Sequence, residues 1–282
     1  MNPLGCSRVA YTLKRPPCAK GAGSAVAGEG LFAGSASFSK SVNTSYQCKE
    51  KERYSMIISG LQKLTLLDFP GRTACTVFFS GCNFRCPFCH NASLVRGQGD
   101  RIETEDFFAF LRSRKGILDG VAVTGGEPLL QPELDAFLSQ IKEMGFLIKL
   151  DTNGSFPEKL RKLVESRLVD YVAMDIKSSR EGYARAAGCT VDLESVCESV
   201  DYLLSAPVAY EFRTTAAKGL VTPEDFTGIG KWIQGAQQYF IQGFVDSGDL
   251  LGSGVCAYSK EEMEVLRDIV LPYVPAVSLR GV

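Results

Sequence analysis

Short apolar runs alternate with amphipathic segments along the chain after Met56. Runs rich in Val, Ile, Phe and Tyr predict buried strands at Thr73–Phe79, Gly120–Thr124, Phe146–Leu150, Tyr171–Met174, Tyr210–Thr214 and Tyr239–Gln242. Apolar positions recur at helical spacing in Glu103–Arg114, Val191–Leu204, Pro223–Ile233 and Lys260–Val270. Pro132 and Pro157 are predicted to lie in the first turns of two further helices. This alternation predicts a parallel sheet with right-handed crossovers, and about six strand–helix units predict an incomplete (β/α)6, TIM-like barrel.

Residues 1–55 have a different composition. Gly, Ala and Ser dominate Gly21–Ser39, and Glu29 is the only acidic residue before Glu50. A segment with so little apolar surface is predicted to be disordered. Its basic, Ser-rich character is typical of an organelle transit peptide, but Met56 also begins like a natural N-terminus, which would make the upstream start misassigned. We therefore divide the chain into a low-complexity leader, 1–55, and one folded domain, 56–282.

The overall composition narrows the class of protein. The chain of 282 residues is 45% hydrophobic and 22% charged, as expected of a globular domain with a substantial core. A net charge of −1 argues against a nucleic-acid partner held by bulk charge. We find no apolar run of the roughly 18 residues that a membrane span needs, and no export signal. The expectation is a cytoplasmic protein with neither a membrane nor a nucleic-acid partner.

Ten cysteines are many for such a chain, and most of them are irregularly spaced. This spacing makes a secreted disulfide framework a poor interpretation. Outside the leader, four scattered thiols are interpreted as small buried hydrophobic residues: Cys75, Cys189, Cys197 and Cys256.

The remaining three thiols lie close together in the stretch Ser80–Asn91. Cys82, Cys86 and Cys89 directly follow a predicted strand, and α/β proteins bind ligands at the carboxyl ends of their strands. Cysteine thiolates are the usual ligands of iron–sulfur clusters, and four of them normally saturate a four-iron cluster. Three would leave one iron without a protein ligand and therefore open to chemistry.

Three other interpretations of these thiols remain open. The C-x-x-C-H sequence from Cys86 to His90 matches a c-type haem attachment site, and Cys86 and Cys89 alone could form a thioredoxin-like redox pair. A structural zinc site of the three cysteines and His90 would give a binding module without catalysis. His90 is the only histidine in the chain, which excludes mechanisms that need two.

The C-x3-C-x2-C loop resembles the signature of radical S-adenosylmethionine (SAM) enzymes. In that family the three cysteines hold one [4Fe–4S] cluster, and its open iron binds the amino and carboxylate groups of SAM. The resemblance implies that Cys82, Cys86 and Cys89 are the cluster ligands, and it implies the same incomplete barrel that the strand pattern predicts. The wider stretch Leu67–Asn91 resembles the beginning of glycyl-radical-enzyme activating proteins.

The resemblance also gives roles to residues at the other predicted strand ends. Taken alone, Gly125-Gly126-Glu127 and Asn153-Gly154 would each be interpreted as a turn, and Asp175-Ile176-Lys177 as a salt bridge. In the family, the first motif holds the SAM amino group, the lysine pairs with the SAM carboxylate, and the acids surround a monovalent cation. Phe88 would lie along the adenine, and Asp68 near the glycyl substrate peptide. The residues implied in cofactor binding are Phe88, Gly125, Gly126, Glu127, Asp151, Thr152, Asn153, Asp175 and Lys177.

The chain departs from the family pattern at the fifth predicted strand. The histidine that relatives offer to SAM is absent there, and Glu211–Thr215 occupies the place. We expect Arg213 to substitute as a donor.

The similarity is greatest to activating proteins of anaerobic ribonucleoside-triphosphate reductase, on the residues Tyr210–Thr215 and Leu279–Gly281. It implies one-electron reductive cleavage of SAM to a 5′-deoxyadenosyl radical that takes hydrogen from a glycine of a partner enzyme. A flavodoxin- or ferredoxin-type protein would supply the electron. Only 35 residues separate Cys89 from Gly125, too few for an inserted ferredoxin-like domain, so we expect a single cluster. The alternatives are a pyruvate formate-lyase activating enzyme, a radical SAM enzyme acting on a small molecule, and the zinc-stabilised binding module.

Overall fold

The computed structural model describes residues 56–282, so the leader predicted at residues 1–55 and its disorder lie outside the described residues. The strands of the described part are β1 Ile58–Thr65, β2 Ala74–Phe79, β3 Gly120–Gly125, β4 Leu147–Thr152, β5 Tyr171–Asp175, β6 Ala209–Lys218, β7 Tyr239–Gly243, β8 Cys256–Ala257 and β9 Val277–Arg280. The helices are α1 Ala92–Val95, α2 Thr104–Arg112, α3 Leu134–Glu143, α4 Pro157–Glu165, α5 Tyr183–Ala187, α6 Leu193–Ser205, α7 Pro223–Trp232 and α8 Lys260–Val270, with a 3-10 turn at Pro128–Leu130.

One sheet organises these elements in the order β1-β2-β3-β4-β5-β6-β7-β9. Strands β2 to β7 and β9 run parallel to their neighbours, whereas β1 pairs antiparallel with β2, and the two-residue β8 pairs antiparallel with the end of β6. The sheet is not closed, so β1 and β9 form its edges within residues 56–282. The predicted α/β class and incomplete barrel are confirmed, and all six predicted strands are present.

The two faces of the parallel strands have opposite character because strand side chains alternate with a period of two. One face is apolar and packs with helix residues such as Leu111, Phe137 and Leu160 in a single core. It is formed by the following strand residues: Cys75, Val77, Phe79, Val121, Val123, Ile148, Leu150, Val172, Met174 and Phe212. The opposite face bears polar residues such as Lys149 and Glu211, both buried. The charged residues of the strands therefore point away from the helices.

Two details differ from the sequence-based expectations. Pro157 does begin α4, but Pro132 precedes α3, because Glu133 adopts a left-handed conformation (φ 56°) and the helix begins only at Leu134. Cys75 is buried as predicted, but Cys189 and Cys197 are only half-buried, and the interpretation as a buried residue is wrong for Cys256, which is exposed in β8. None of the helices in residues 56–282 has the length and apolar character needed to cross a membrane.

A buried ion pair attaches the last strand to the sheet. The Glu211 carboxylate on β6 has no exposed surface, and it accepts hydrogen bonds from Arg280 Nη1 at 2.8 Å, Arg280 Nη2 at 2.9 Å and the Tyr171 hydroxyl at 2.9 Å. The Arg280 guanidinium also lies 3.3 Å from the centre of the Phe240 ring. Three strands, β5, β6 and β9, are thus joined inside the barrel by one carboxylate.

We predict that Arg280→Met destabilises the protein by about 3 kcal/mol, because it leaves a buried carboxylate without its cation. The double variant Arg280→Met/Glu211→Gln is expected to recover part of this loss, since the buried charge is then removed as well. Urea denaturation of the reduced apoprotein measures the free energies of unfolding. As a control, Lys162→Met breaks the exposed pair with Asp135 and is expected to cost less than about 1 kcal/mol. Equal losses in the Arg280 and Lys162 variants would contradict the prediction.

Candidate functional site

A cavity of about 480 Å³ lies at the carboxyl ends of the parallel strands. The predicted site residues, with one exception, line it together: Asp68, Cys82, Cys86, Phe88, Cys89, Gly125, Gly126, Asp151, Thr152, Asn153, Asp175, Lys177 and Arg213. The exception is Glu127, whose side chain is completely buried beside the cavity. Residues separated by more than 100 positions in sequence meet here because parallel strands bring their carboxyl ends to the same edge of the sheet.

Backbone hydrogen bonds position the loop that contains the three cysteines. At the beginning of the loop, Gly81 N donates a hydrogen bond to Leu94 O at 3.0 Å. In its middle, Arg85 N donates one to Ala187 O at 2.9 Å. Near its end, Pro87 O accepts a hydrogen bond of 2.9 Å from Gly252 N, in the connection between β7 and β8. Three distant parts of the chain therefore fix the path of this loop.

The three thiols form a donor set suited to an iron–sulfur cluster. Cys82, Cys86 and Cys89 are all free and lie on one wall of the cavity. Burial raises the pKa of Cys82 to about 11 and that of Cys86 to about 12, so both thiols are protonated until a metal replaces the proton. In residues 56–282, no set of three or more His, Cys, Asp or Glu side chains is arranged to hold a single metal ion. The residues present fit a cluster that takes three ligands from this chain.

The turn after β3 contacts the loop directly through its glycines. Gly126 N donates to Phe79 O, and Glu127 N donates to Gly81 O, both at 2.9 Å. A Cβ atom on Gly126 would lie 1.9 Å from Gly81 O, and Gly125 adopts a φ of +122°. Neither position accepts a side chain, because the turn lies against the backbone that immediately precedes Cys82.

Glu127 links the same turn to the end of β4. Its Oε1 accepts hydrogen bonds from Leu129 N at 3.0 Å and Thr152 Oγ1 at 2.9 Å, and its Oε2 accepts one from Asn153 N at 2.7 Å. Both carboxylate oxygens are therefore occupied within the protein. The carboxylate thus joins the turn after β3 to the end of β4, and the role of Glu127 in cofactor binding stays a prediction.

Asn153 is similarly committed to protein contacts. Its Nδ2 donates to Asn83 Oδ1 at 2.9 Å, and its Oδ1 accepts hydrogen bonds from Ser155 N at 3.0 Å and Ser155 Oγ at 2.6 Å. Asn83 lies between the first two cysteines, so Asn153 positions the cysteine loop as well as lining the cavity.

Five charged side chains alternate in sign across three neighbouring strand ends. Lys149 bonds to Asp151, Arg213 Nη1 lies 3.2 Å from Asp151 Oδ2, and Arg213 Nε lies 2.8 Å from Asp175 Oδ1. Lys177 Nζ completes the row at 3.0 Å from Asp175 Oδ2. We call these five residues the charge row.

The electrostatics of the charge row favour full ionisation. Burial opposes it, but Arg213 and Lys177 hold the pKa of Asp175 well below its usual value. Burial lowers the pKa of Lys177, but the neighbouring Asp175 carboxylate outweighs this effect and holds that pKa above its usual value. Three cations and two carboxylates give the row a net charge of +1, with Lys177 at the end nearest the thiols. A ligand carboxylate at this end would neutralise the row.

The remaining predicted side chains have simpler surroundings. Phe88 is buried in the cavity wall next to Cys89. Asp68 Oδ2 accepts a hydrogen bond of 2.5 Å from Thr76 Oγ1, which places this carboxylate on the β2 side of the cavity.

Sequence reasoning missed several polar residues that line the cavity: Gln62, Thr76, Thr124, Thr215 and Gln242. Some of them were accessible from the pattern, since Thr124, Thr215 and Gln242 lie in predicted strands or immediately after them. Thr215 is two positions beyond Arg213 on β6, and residues two apart share a face of a strand.

We predict that Glu127→Gln changes the pH dependence of stability. Burial raises the pKa of Glu127 from 4.5 to about 7, so ionisation is penalised in the folded protein. This penalty is absent below the unfolded-state pKa, develops as pH rises through the folded-state pKa, and is complete above it. Between pH 4.5 and 8, the variant is expected to gain stability relative to the wild type by up to about 3 kcal/mol. Denaturation curves at several pH values measure this difference, and a difference independent of pH would refute the explanation.

Comparison with known proteins agrees with this geometry. Residues 76–222, more than half of the chain, match the radical SAM superfamily. A candidate glycyl-radical enzyme activating enzyme of Methanocaldococcus jannaschii is 29% identical over 233 residues, which are 80% of this chain and 96% of that protein. The pyruvate formate-lyase-activating enzyme of Clostridium pasteurianum is 34% identical over 139 residues, 46% of this chain and 57% of that enzyme.

A solved structure gives the same fold. The SuiB protein of Streptococcus suis, bound to its precursor peptide SuiA, superposes with a TM-score of 0.59 at 15% identity and covers 71% of this chain and 47% of SuiB. The open parallel barrel, the three thiols on one cavity wall and the family match over residues 76–222 lead to one conclusion: this chain belongs to the radical SAM superfamily of enzymes.

Proposed function

We propose that this protein is an activase that generates a glycyl radical on a partner enzyme, and that the partner is an anaerobic ribonucleoside-triphosphate reductase. The observation that supports an activase most strongly is the similarity to the Methanocaldococcus protein, which this chain matches over 96% of its length. The choice of reductase rests on the sequence resemblance at Tyr210–Thr215 and Leu279–Gly281. These segments lie on β6 and β9 and contain both partners of the Glu211–Arg280 ion pair.

In the proposed enzyme, Cys82, Cys86 and Cys89 hold one [4Fe–4S] cluster. A cluster held by these residues would supply, once reduced, the one electron needed to cleave SAM to methionine and a 5′-deoxyadenosyl radical, and that radical would take a hydrogen atom from the partner's glycine. The chain itself provides the cluster ligands, orients the cofactor and limits the access of solvent to it. Cys86 and Phe88 are buried, and Cys82 and Cys89 are half-buried, so the loop leaves access for an external flavodoxin- or ferredoxin-type electron donor.

The charge row supports a binding mode for SAM. The methionyl carboxylate would pair with Lys177, and the amino group would lie beside the backbone of Gly125 and Gly126. Phe88 would contact the adenine from the loop. The row already has a net charge of +1, because it contains three cations and only two carboxylates. A monovalent cation near Asp151, Thr152 and Asp175 would add to that charge, so its presence depends on the ligand carboxylate balancing it.

We expect Lys177→Met to weaken SAM binding by about ten- to a hundredfold, because a charge-assisted hydrogen bond in a half-closed site contributes about 1.5–3 kcal/mol. Anaerobic equilibrium dialysis of the reconstituted protein measures the dissociation constant. Lys231→Met, which removes an exposed lysine from α7, is the control and should leave SAM affinity unchanged. Iron content should equal that of the wild type in both variants. Unchanged affinity in the Lys177 variant would contradict the binding mode.

The proposed function is tested by anaerobic reconstitution with iron and sulfide, followed by dithionite, SAM and a candidate partner. We expect about four irons per chain, formation of 5′-deoxyadenosine, and the electron paramagnetic resonance signal of a glycyl radical on the reductase. Cys86→Ala should abolish all three results, whereas Cys256→Ala, which removes an exposed thiol outside the cavity, should retain them.

The same experiment separates the alternatives. A glycyl radical on pyruvate formate-lyase but not on the reductase would change the partner and keep the activase. SAM cleavage without a radical on either protein would favour a small-molecule substrate. One zinc per chain, with SAM left intact, would overturn the enzyme assignment in favour of a zinc-stabilised module.

A further inference from the structure

The cavity has a second region that the cofactor assignment does not use. Its charged end contains Lys177 and Arg213, which are the only lysine and arginine among the lining residues, and both are paired with carboxylates. The wall formed by β1, β2, β3, β6 and β7 contains one aromatic residue, Phe78, and otherwise uncharged polar residues: Gln62, Thr76, Thr124, Thr215 and Gln242. Asp68, in the connection between β1 and β2, lies beside it.

Three of these polar side chains have no protein partner. Among residues 56–282, the hydroxyls of Thr124 and Thr215 and the carboxamide of Gln242 make no hydrogen bond, although all three side chains are half-buried. Thr215 and Gln242 are also direct neighbours, because β6 and β7 pair at these two residues. Half-buried polar groups need a partner from solvent or from a ligand.

The chemistry of this wall restricts its ligand. Carboxamide and hydroxyl groups both donate and accept hydrogen bonds, as a peptide unit requires. A ligand with a negative charge would find no unpaired lysine or arginine among the lining residues here, and the carboxylate of Asp68 would repel it. A neutral segment of extended backbone fits better, with N–H groups for Asp68 and both N–H and C=O groups for Thr215 and Gln242.

We infer that Thr215 and Gln242 form a subsite that binds the peptide backbone on either side of the target glycine. This inference rests on the proposed function and adds the residues that determine its substrate. Asp68, which accepts a hydrogen bond from Thr76 on β2, contributes a second acceptor for the N–H groups of the segment. Recognition through the backbone suits a glycine, which offers no side chain to bind, and it directs the glycine Cα toward the cofactor end of the cavity.

The test uses a neutral capped pentapeptide, acetyl-Ala-Ala-Gly-Ala-Ala-amide, whose glycine carries two deuterium atoms on Cα. Breaking a Cα–D bond and forming a C–D bond at the 5′-carbon puts one deuterium into 5′-deoxyadenosine and leaves the unpaired electron on the glycine. Mass spectrometry of the nucleoside then reports transfer, and its dependence on peptide concentration gives KM.

Gln242→Leu and Thr215→Val keep the approximate shape of the side chains and remove their hydrogen bonds. Each is expected to raise the peptide KM by about five- to tenfold, the effect of one lost hydrogen bond, while the SAM dissociation constant and the melting temperature remain unchanged. The control is Gln238→Leu, since Gln238 is a half-buried glutamine outside the cavity lining whose Nε2 donates to Ala276 O at 3.4 Å. A peptide N-methylated at the residue after glycine should lose transfer in the wild-type enzyme.

Two results would overturn the inference: wild-type KM values in both variants, or no transfer from the unmodified peptide to the wild-type enzyme. Neither would refute the activase, which is judged separately by the glycyl radical on the intact reductase. Failure of the activase would instead appear as SAM cleavage with no radical on any protein partner.

Discussion

The pairing of buried charges across β4, β5 and β6 is the constraint on which the site depends. An isolated charge is expensive to bury, so each member of the charge row needs a neighbour of opposite sign at hydrogen-bonding distance. Arg213 is central, since it contacts Asp151 on one side and Asp175 on the other. The arrangement exists only if three strands separated in sequence run parallel and in register, with Asp151 opposite Ala173 and Asp175 opposite Arg213. The register of the parallel strands therefore determines both the fold and the electrostatics of the cavity.

The cysteine loop depends on this framework through a chain of short contacts. Glu127 accepts hydrogen bonds from Thr152 and Asn153 at the end of β4, and its own N–H donates to Gly81 just before Cys82. A shift of β4 would thus move the first cysteine. Because most of these contacts involve backbone atoms, the loop is positioned by the strands rather than by the metal chemistry of its thiols.

Much of the fold was accessible from the sequence because its strands are continuous apolar runs bounded by polar strand ends. The two edge strands, β1 and β9, could not be predicted in this way. β1 has an exposed second half at Gln62–Leu64 with no continuous apolar run, as an edge strand can, and β9 has only four residues. Clustering of the motifs followed from the topology, since parallel strands place their carboxyl ends together. What sequence could not give is where each side chain points. Glu127 lies in a motif next to the cavity, yet its carboxylate is used inside the protein, and Gln242 lies in no motif, yet it lines the cavity.

Arg213 has a structural role that its sequence position did not reveal. The sequence offered it as a replacement for a missing histidine donor, and a donor role toward SAM remains a prediction. The geometry adds a role that does not depend on any ligand: Nε and Nη1 bond to two carboxylates that would otherwise repel each other across neighbouring strands. A histidine offers two N–H groups only when it is protonated, whereas an arginine stays charged at any physiological pH. The guanidinium therefore helps to keep Asp151 and Asp175 ionised and shares Asp175 with Lys177, which links the choice of residue on β6 to the net charge at this end of the cavity.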